Sequence, residues 1–461
     1  MVRKILFGLL ALPFFVSACQ PSVDMTPTTD VQPTSTPKSV STATPTYESP
    51  ITVAAEDLNG IEIEVWHSWF GAPAALFDLQ VNEFNEENPW GITVTAAYQG
   101  SYHMLFSTVD AELIDGTPPD LVVALSEQIA AWNENDTVNA LTPYILDPEW
   151  GLDEAERNDI PAVFLAQDQH EGEWLAFPAQ RTARFILYNV TWAKELGFDA
   201  APTSFDEFRE QACTANLSMR QDDISDNDGK GGWIVDYHNA AALSWLYSFG
   251  GTPLGEETDY EFASDENMAA FRNLKALYDD NCAWLSTAET PYEQFALRSA
   301  LFITASMEEF NDVTRSFVEA ESADEWQVIP FPGDVDSTVV VYGSSYAVLT
   351  TEDAEALASW LFIKWMLAPP QQVKWVKSTG LFPLRISALD ELSDYESSNP
   401  HWGEAVNLIE QGRIQPQLGS WRQARHLLGD GLEYIYRYNT QTGSISAILA
   451  LMDQTATDLQ E

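Results

Sequence analysis

Positive charge is scarce in this chain. Lysine and arginine together number 22 against 70 aspartates and glutamates, a formal net charge of −48 spread along 461 residues. A surface of that sign repels nucleic acid and anionic lipid head groups, so no nucleic-acid partner is expected. Cysteine is nearly missing: Cys19, Cys213 and Cys282 are the whole complement, and no CxxC pair occurs. Histidine is thin and scattered (His67, His103, His170, His238, His401, His426), with no HExxH. There is no GxSxG elbow, and Gly229-Lys230 has no phosphate-binding loop around it. Neighbouring carboxylates such as Glu171 and Glu173 are inevitable among 70 acidic residues and do not argue for glycoside hydrolysis. The reading is therefore of a binding protein and not an enzyme, with no cofactor and no metal. Long apolar runs are missing too. Ile5–Val16 is too short to span a bilayer as a helix.

What is present organises itself along the chain. Apolar residues at 45% and aromatics at 12% are enough to build cores. The length is too great for one compact core and suits two lobes. Arg3-Lys4, the short apolar run and small residues before Cys19 read as an export signal. Val16-Ser-Ala-Cys19 resembles a bacterial lipobox, which implies a signal peptide over 1–18, cleavage before Cys19 and lipidation of its sulfur. The chain would then sit on the extracytoplasmic side of the cell membrane, held by its lipid. Residues 19–58, rich in Thr, Pro and Ser near their start, are expected to be a disordered tether, since they carry too little apolar area to offset their ordering entropy.

The next segment alternates strand and helix signals. Ile61–Trp66, Gly91–Tyr98 and Pro119–Ala124 read as strands, each emptying into a polar, aromatic turn: His67–Gly71, Gln99–Tyr102 and Leu125–Glu127. Open parallel sheets bind ligands outside such carboxyl ends. Further on, Val340–Arg385 holds strand, polar turn, two helices joined at Pro369-Pro370, and the exit Thr379-Gly-Leu-Phe-Pro-Leu-Arg385. Thr351 reads as the N-cap of the first helix, with Glu352, Asp353 and Glu355 in its first turn. Leu357, Leu361, Phe362 and Trp365 make its apolar face. Ser204 and Glu207 form a capping-box pattern before another helix.

This order of unlike features, with Gly116–Asp120, Leu141–Tyr144 and Trp326–Gly333, resembles the family 1 extracellular solute-binding proteins, the sugar-type receptors of ABC importers. The resemblance runs from Ile61 to Tyr438. It implies an α/β, two-lobed, periplasmic-binding-protein-like fold (type II), each lobe a mixed, mostly parallel sheet flanked by helices, with the cleft at the hinge. On it, 59–180 with 304–350 form lobe 1, and 181–303 with 351–461 form lobe 2. Phe177–Asn189 is similar to the strand that crosses the hinge, and Ala300–Ser306 to one returning to the first lobe. The resemblance further implies a carbohydrate ligand, ABC permease subunits as partners, and a monomer.

Sixteen Trp and sixteen Tyr could supply flat faces for sugar rings. Carried over onto the family's loops, the expected ligand-binding residues are His67, Trp69, Tyr102, Ser126, Glu127, Arg181, Tyr237, His238, Asn239, Ser344 and Trp421. Trp421 would stack on a ring from the second lobe. Glu127 and Arg181 would give charge-assisted hydrogen bonds to hydroxyls. Trp66 and Trp245 are assigned to the core. Asp222–Trp233 offers an incomplete calcium loop, with Ile224 and Val235 where carboxylates are required, and reads as a solvated turn. Cys213 and Cys282 either pair, as an exported chain permits, or remain two buried thiols. A surface glycan-binding or sensing lipoprotein without a permease, and a secreted glycoside hydrolase, are the alternatives in function.

Overall fold

The fold is given by a computed structural model that describes residues 49–255, 258–437 and 439–460. The signal segment, Cys19 and the tether as far as residue 48 lie outside the described residues. The folded chain starts earlier than residue 59, the boundary expected from composition. Ile51 and Val53 pack against the core, and Leu58 is fully buried at the end of the single turn Ala55–Leu58.

The β-α-β-α-β reading holds. Strands Glu62–His67, Thr93–Tyr98 and Leu121–Leu125 pair in parallel, with Glu62–His67 in the middle. In Glu62–His67 the buried Ile63 and Val65 alternate with outward Glu62 and Glu64. Leu121–Leu125 is apolar throughout because both its faces are covered. Ser344–Leu349 then adds antiparallel to Leu121–Leu125, and short pieces at Val138–Asn139 and Phe177–Pro178 complete a six-stranded sheet.

The second sheet has seven strands. Thr182–Asn189 lies centrally, antiparallel to Ala300–Ser306, Trp326–Ile329 and Val339–Tyr342. Gly231–Ile234 and Ala283–Trp284 extend it at one side, and Gly412–Arg413 at the other. Cys213, in helix Phe205–Arg220, is disulfide-bonded to Cys282 beside the edge strand, tying that helix to its sheet. Ser204 caps the helix, its hydroxyl accepting from the Glu207 N–H at 3.3 Å.

Two expected lobe assignments change. Ala300–Ser306 does not return to the first lobe, and neither do the strands after it as far as Tyr342; only Ser344–Leu349 does. Helices Asp353–Met366 and Pro369–Thr379 pack on the first sheet and on helix Ala72–Glu87, not on the second lobe. Leu357, Leu361 and Phe362 are buried, together with Trp360, against the first sheet's outer side. Helices His426–Ile435 and Ile445–Asp458 do pack with the second lobe's helices Asn239–Ser248 and Asp265–Asp279. The cap moves by one residue: Glu352 caps Asp353–Met366, while the Thr351 hydroxyl donates to Asp120 at 3.0 Å. Pro369 opens the second helix and Gly380, at φ +73°, ends it in the left-handed region.

The chain passes between sheets at 179–181 and again at Gly343. These passages are stitched together, since the Ala179 and Gln180 N–H groups both donate to the Ser344 carbonyl, at 3.0 and 3.1 Å. Gly343 has φ +153°, and a Cβ there would stand 2.2 Å from the Gln180 carbonyl oxygen. Only glycine lets the strands approach this closely.

Candidate functional site

A cavity of about 610 Å³ opens where the sheets meet at these passages. That volume lies within the roughly 300–1,000 Å³ usual for small-ligand sites. The first lobe contributes Tyr102, Ser126 and Glu127. Each stands there for a local reason. Ser101 caps helix Tyr102–Asp115, its hydroxyl accepting from the Met104 N–H at 3.3 Å, so Tyr102 is the first helical residue after a strand end. Ser126 and Glu127 begin the helix that follows Leu121–Leu125 directly. From the passages come Gln180, Thr182, Tyr342 and Gly343. The second lobe adds Tyr237, His238, Asn239 and Glu308, and helix His426–Ile435 lays His426, Gly429, Asp430 and Glu433 along the opposite wall beside Arg425.

Charge in the cavity is mostly acidic. Glu127, with its side chain 4% exposed, meets the Arg425 guanidinium at 2.7 Å, joining the two walls. Glu308 accepts from the Thr182 hydroxyl at 2.9 Å. Behind it, Arg184 is held by Asp236 and by Glu309 at 3.1 Å, and the Thr304 hydroxyl donates to Asp236 at 2.6 Å. His238 caps helix Asn239–Ser248 by accepting from the Ala240 N–H at 3.2 Å. Burial, with Arg184 adding to it, pushes the His238 pKa down to about 4, so its ring is neutral at pH 7. Burial pushes the Tyr102 hydroxyl up to about 12, and Tyr237 likewise to about 12 with Glu433 assisting. Both are hydrogen-bonding phenols, not bases. The arrangement can grip polar groups between two walls; it presents no nucleophile poised against a base.

Six expected residues meet in this cavity: Tyr102, Ser126, Glu127, Tyr237, His238 and Asn239. Five do not line it. His67 is buried, its ring accepting from the Trp69 N–H at 3.2 Å, and burial lowers its pKa. Trp69 packs on Trp375 with ring centroids 4.6 Å apart and donates to Gln180 at 2.9 Å. Trp421 is buried too, donating to Gln415 at 3.0 Å and stacked 6.3 Å from Tyr260, so it offers no free face to a ring. Ser344 is buried beneath Gly343. Arg181 is fully buried, donating to Asp168 at 2.6 Å, Ser345 at 3.0 Å and the carbonyls of Ser344 and Phe164 at 2.8 and 3.1 Å. It pins the passages instead of reaching a ligand. Among the residues missed were Gln180, Thr182, Glu308, Gln415, Arg425, His426, Asp430 and Glu433. A signal existed for the last group: 426, 430 and 433 repeat at helical spacing opposite apolar Leu428, Leu432 and Ile435.

A sequence profile described as bacterial extracellular solute-binding protein matches residues 80–402. The chain is a bacterial extracellular solute-binding protein. Solved structures agree on its fold. A cyclic α-maltosyl-1,6-maltose binding protein from Arthrobacter globiformis is 19% identical, with a TM-score of 0.72, over 87% of this chain and 98% of that one. The sugar-binding protein MalE from Xanthomonas citri is 17% identical, with a TM-score of 0.72, over 86% and 97%. UgpB from Mycobacterium tuberculosis, solved with glycerophosphocholine, is 18% identical, with a TM-score of 0.68, over 87% and 99%. A comparison with curated protein sequences found no match. The family is one of binding proteins that work outside the cytoplasm. Among the described residues of this solute-binding protein, no helix is long and apolar enough to cross a membrane.

Proposed function

We propose that this solute-binding protein captures a mono- or oligosaccharide between its lobes and delivers it to an ABC-type permease, anchored to the membrane by a lipid on Cys19. The observation that carries the reading is the cavity at the passages between the sheets, walled by both lobes and lined with hydroxyls, amides, carboxylates and tyrosines. Such a lining suits polyhydroxylated solutes, whose hydroxyls need donors and acceptors on every side. A ligand touching both walls favours the closed arrangement by its differential affinity for it, and closure presents both lobes to a permease as one surface. The protein acts as a monomer and binds without turnover.

The test is direct. Purified full-length protein titrated with mono- and oligosaccharides should change its tryptophan fluorescence and melt at higher temperature, by ligand linkage. A broad panel giving neither change refutes saccharide capture. Radiolabelled palmitate incorporation, lost in Cys19→Ser, tests the anchor.

A further inference from the structure

We infer that the saccharide taken by this cleft carries at least one protonated amino group. This rests on the saccharide reading above and narrows it. Four carboxylates face the cavity from both walls: Glu127, Glu308, Asp430 and Glu433. Arg425 is the single lysine or arginine among the residues that line it, and it is matched to Glu127. Three carboxylates are left without a lining cation. Glu433 has one other partner, Arg437 at 3.3 Å, but that pair is half exposed on the surface and contributes little. Arg184 lies behind the wall, already shared by Asp236 and Glu309.

A second observation is independent of the count. Glu127 is almost fully buried beside the cavity, and its buried Oε1, though 2.7 Å from the Arg425 guanidinium, accepts no well-aligned hydrogen bond among the described residues. An ion pair without an aligned hydrogen bond leaves part of the desolvation cost of a buried carboxylate unmet, and a donor on a ligand reduces it. A neutral hydroxyl can donate, but it leaves the net negative charge of the walls uncompensated; an ammonium group does both. A walled cleft of one sign also concentrates the opposite ion.

The aromatic lining of the cavity is tyrosine alone. The chain has 16 tryptophans, and none of them lines the cavity. The wide indole faces suited to neutral sugar rings are spent on cores, as with Trp69 and Trp421. Tyr102, Tyr237 and Tyr342 remain, and tyrosine faces attract ammonium groups.

The experiment is calorimetric titration of the purified full-length protein with three disaccharides: a glucosamine dimer, its N-acetylated counterpart and a neutral glucose dimer. A non-sugar diamine completes the set. The amino form is expected to bind about tenfold tighter or more, equivalent to about 1.4 kcal/mol, and the gap should shrink as salt is raised. In Asp430→Asn/Glu433→Gln the gap should narrow at unchanged melting temperature. Equal or tighter binding of the neutral or acetylated dimer overturns the inference and leaves saccharide capture standing. Binding of the diamine alone overturns saccharide capture. Binding of none of the four overturns the inference, and the broad panel then decides saccharide capture.

Discussion

Replacing Arg181 by methionine separates a structural role from a ligand-binding one. The guanidinium and its partner Asp168 are 2.6 Å apart with both side chains 0% exposed. Burial pushes the Asp168 carboxyl up and the Arg181 guanidinium down, each partly offset by the other's charge. Removing one member of such a pair costs roughly 3–5 kcal/mol, because the other charge is left buried and alone. Carbonyls of Phe164, Gln180 and Ser344 lose donors as well, at 3.1, 2.9 and 2.8 Å. These costs are not additive, since Asp168 escapes part of them by taking a proton. About 4 kcal/mol is the working figure for Arg181→Met. At roughly 2–4 °C per kcal/mol for domains of 150–250 residues, and less for longer chains, melting should fall by about 5–10 °C. Differential scanning calorimetry reads this directly. Arg181→Met/Asp168→Leu, which removes both charges, should recover most of the loss. A single variant that melts within about 2 °C of the parent but no longer binds saccharide would refute the argument and return Arg181 to the ligand.

Three other measurements bear on the fold. Cys213→Ser opens a bond that spans 69 residues and should cost about 4 kcal/mol on the chain-entropy estimate, seen as a lower denaturant midpoint matched by reducing the parent. Asp324 is held below the usual carboxylate range by hydrogen bonds from Arg298, against partial burial, with Asn189 assisting. Its stabilisation is therefore present above the unfolded value of about 3.9 and is lost as pH falls through the lower folded value. Asp324→Asn should cost roughly 1–2 kcal/mol at pH 7, and the gap to the parent should narrow as the pH falls below the unfolded carboxylate value. Gly343→Ala forces a Cβ against the Gln180 carbonyl and should lower both melting temperature and saccharide affinity, whereas an unchanged Tm would show that the passages yield easily.

Much of the local structure was legible because it depends on near neighbours. The alternation of Ile63 and Val65, the cap at Ser204, the proline start and glycine stop of Pro369–Thr379 each need only a few residues of context. The first wall of the site was legible for the same reason: Tyr102, Ser126 and Glu127 follow strand ends that can be read directly. Aromatic residues were not sorted so well. Trp69 and Trp421 have the chemistry of a sugar platform and equally that of a core, and only their neighbours Trp375 and Tyr260 show which was used.

The amino-acid sequence by itself determined the family, the two-sheet α/β architecture and the acidic character, because patterning, caps and turn residues act locally and composition sets net charge. Tertiary structure alone decided which sheet each late element joined, since Ala300–Ser306 and Asp353–Met366 carry apolar faces that either lobe could have covered. It decided also that Arg181 would clasp the passages and Arg425 face Glu127, because a charged side chain's role is fixed by the partner that packing brings to it, hundreds of residues away in the latter case.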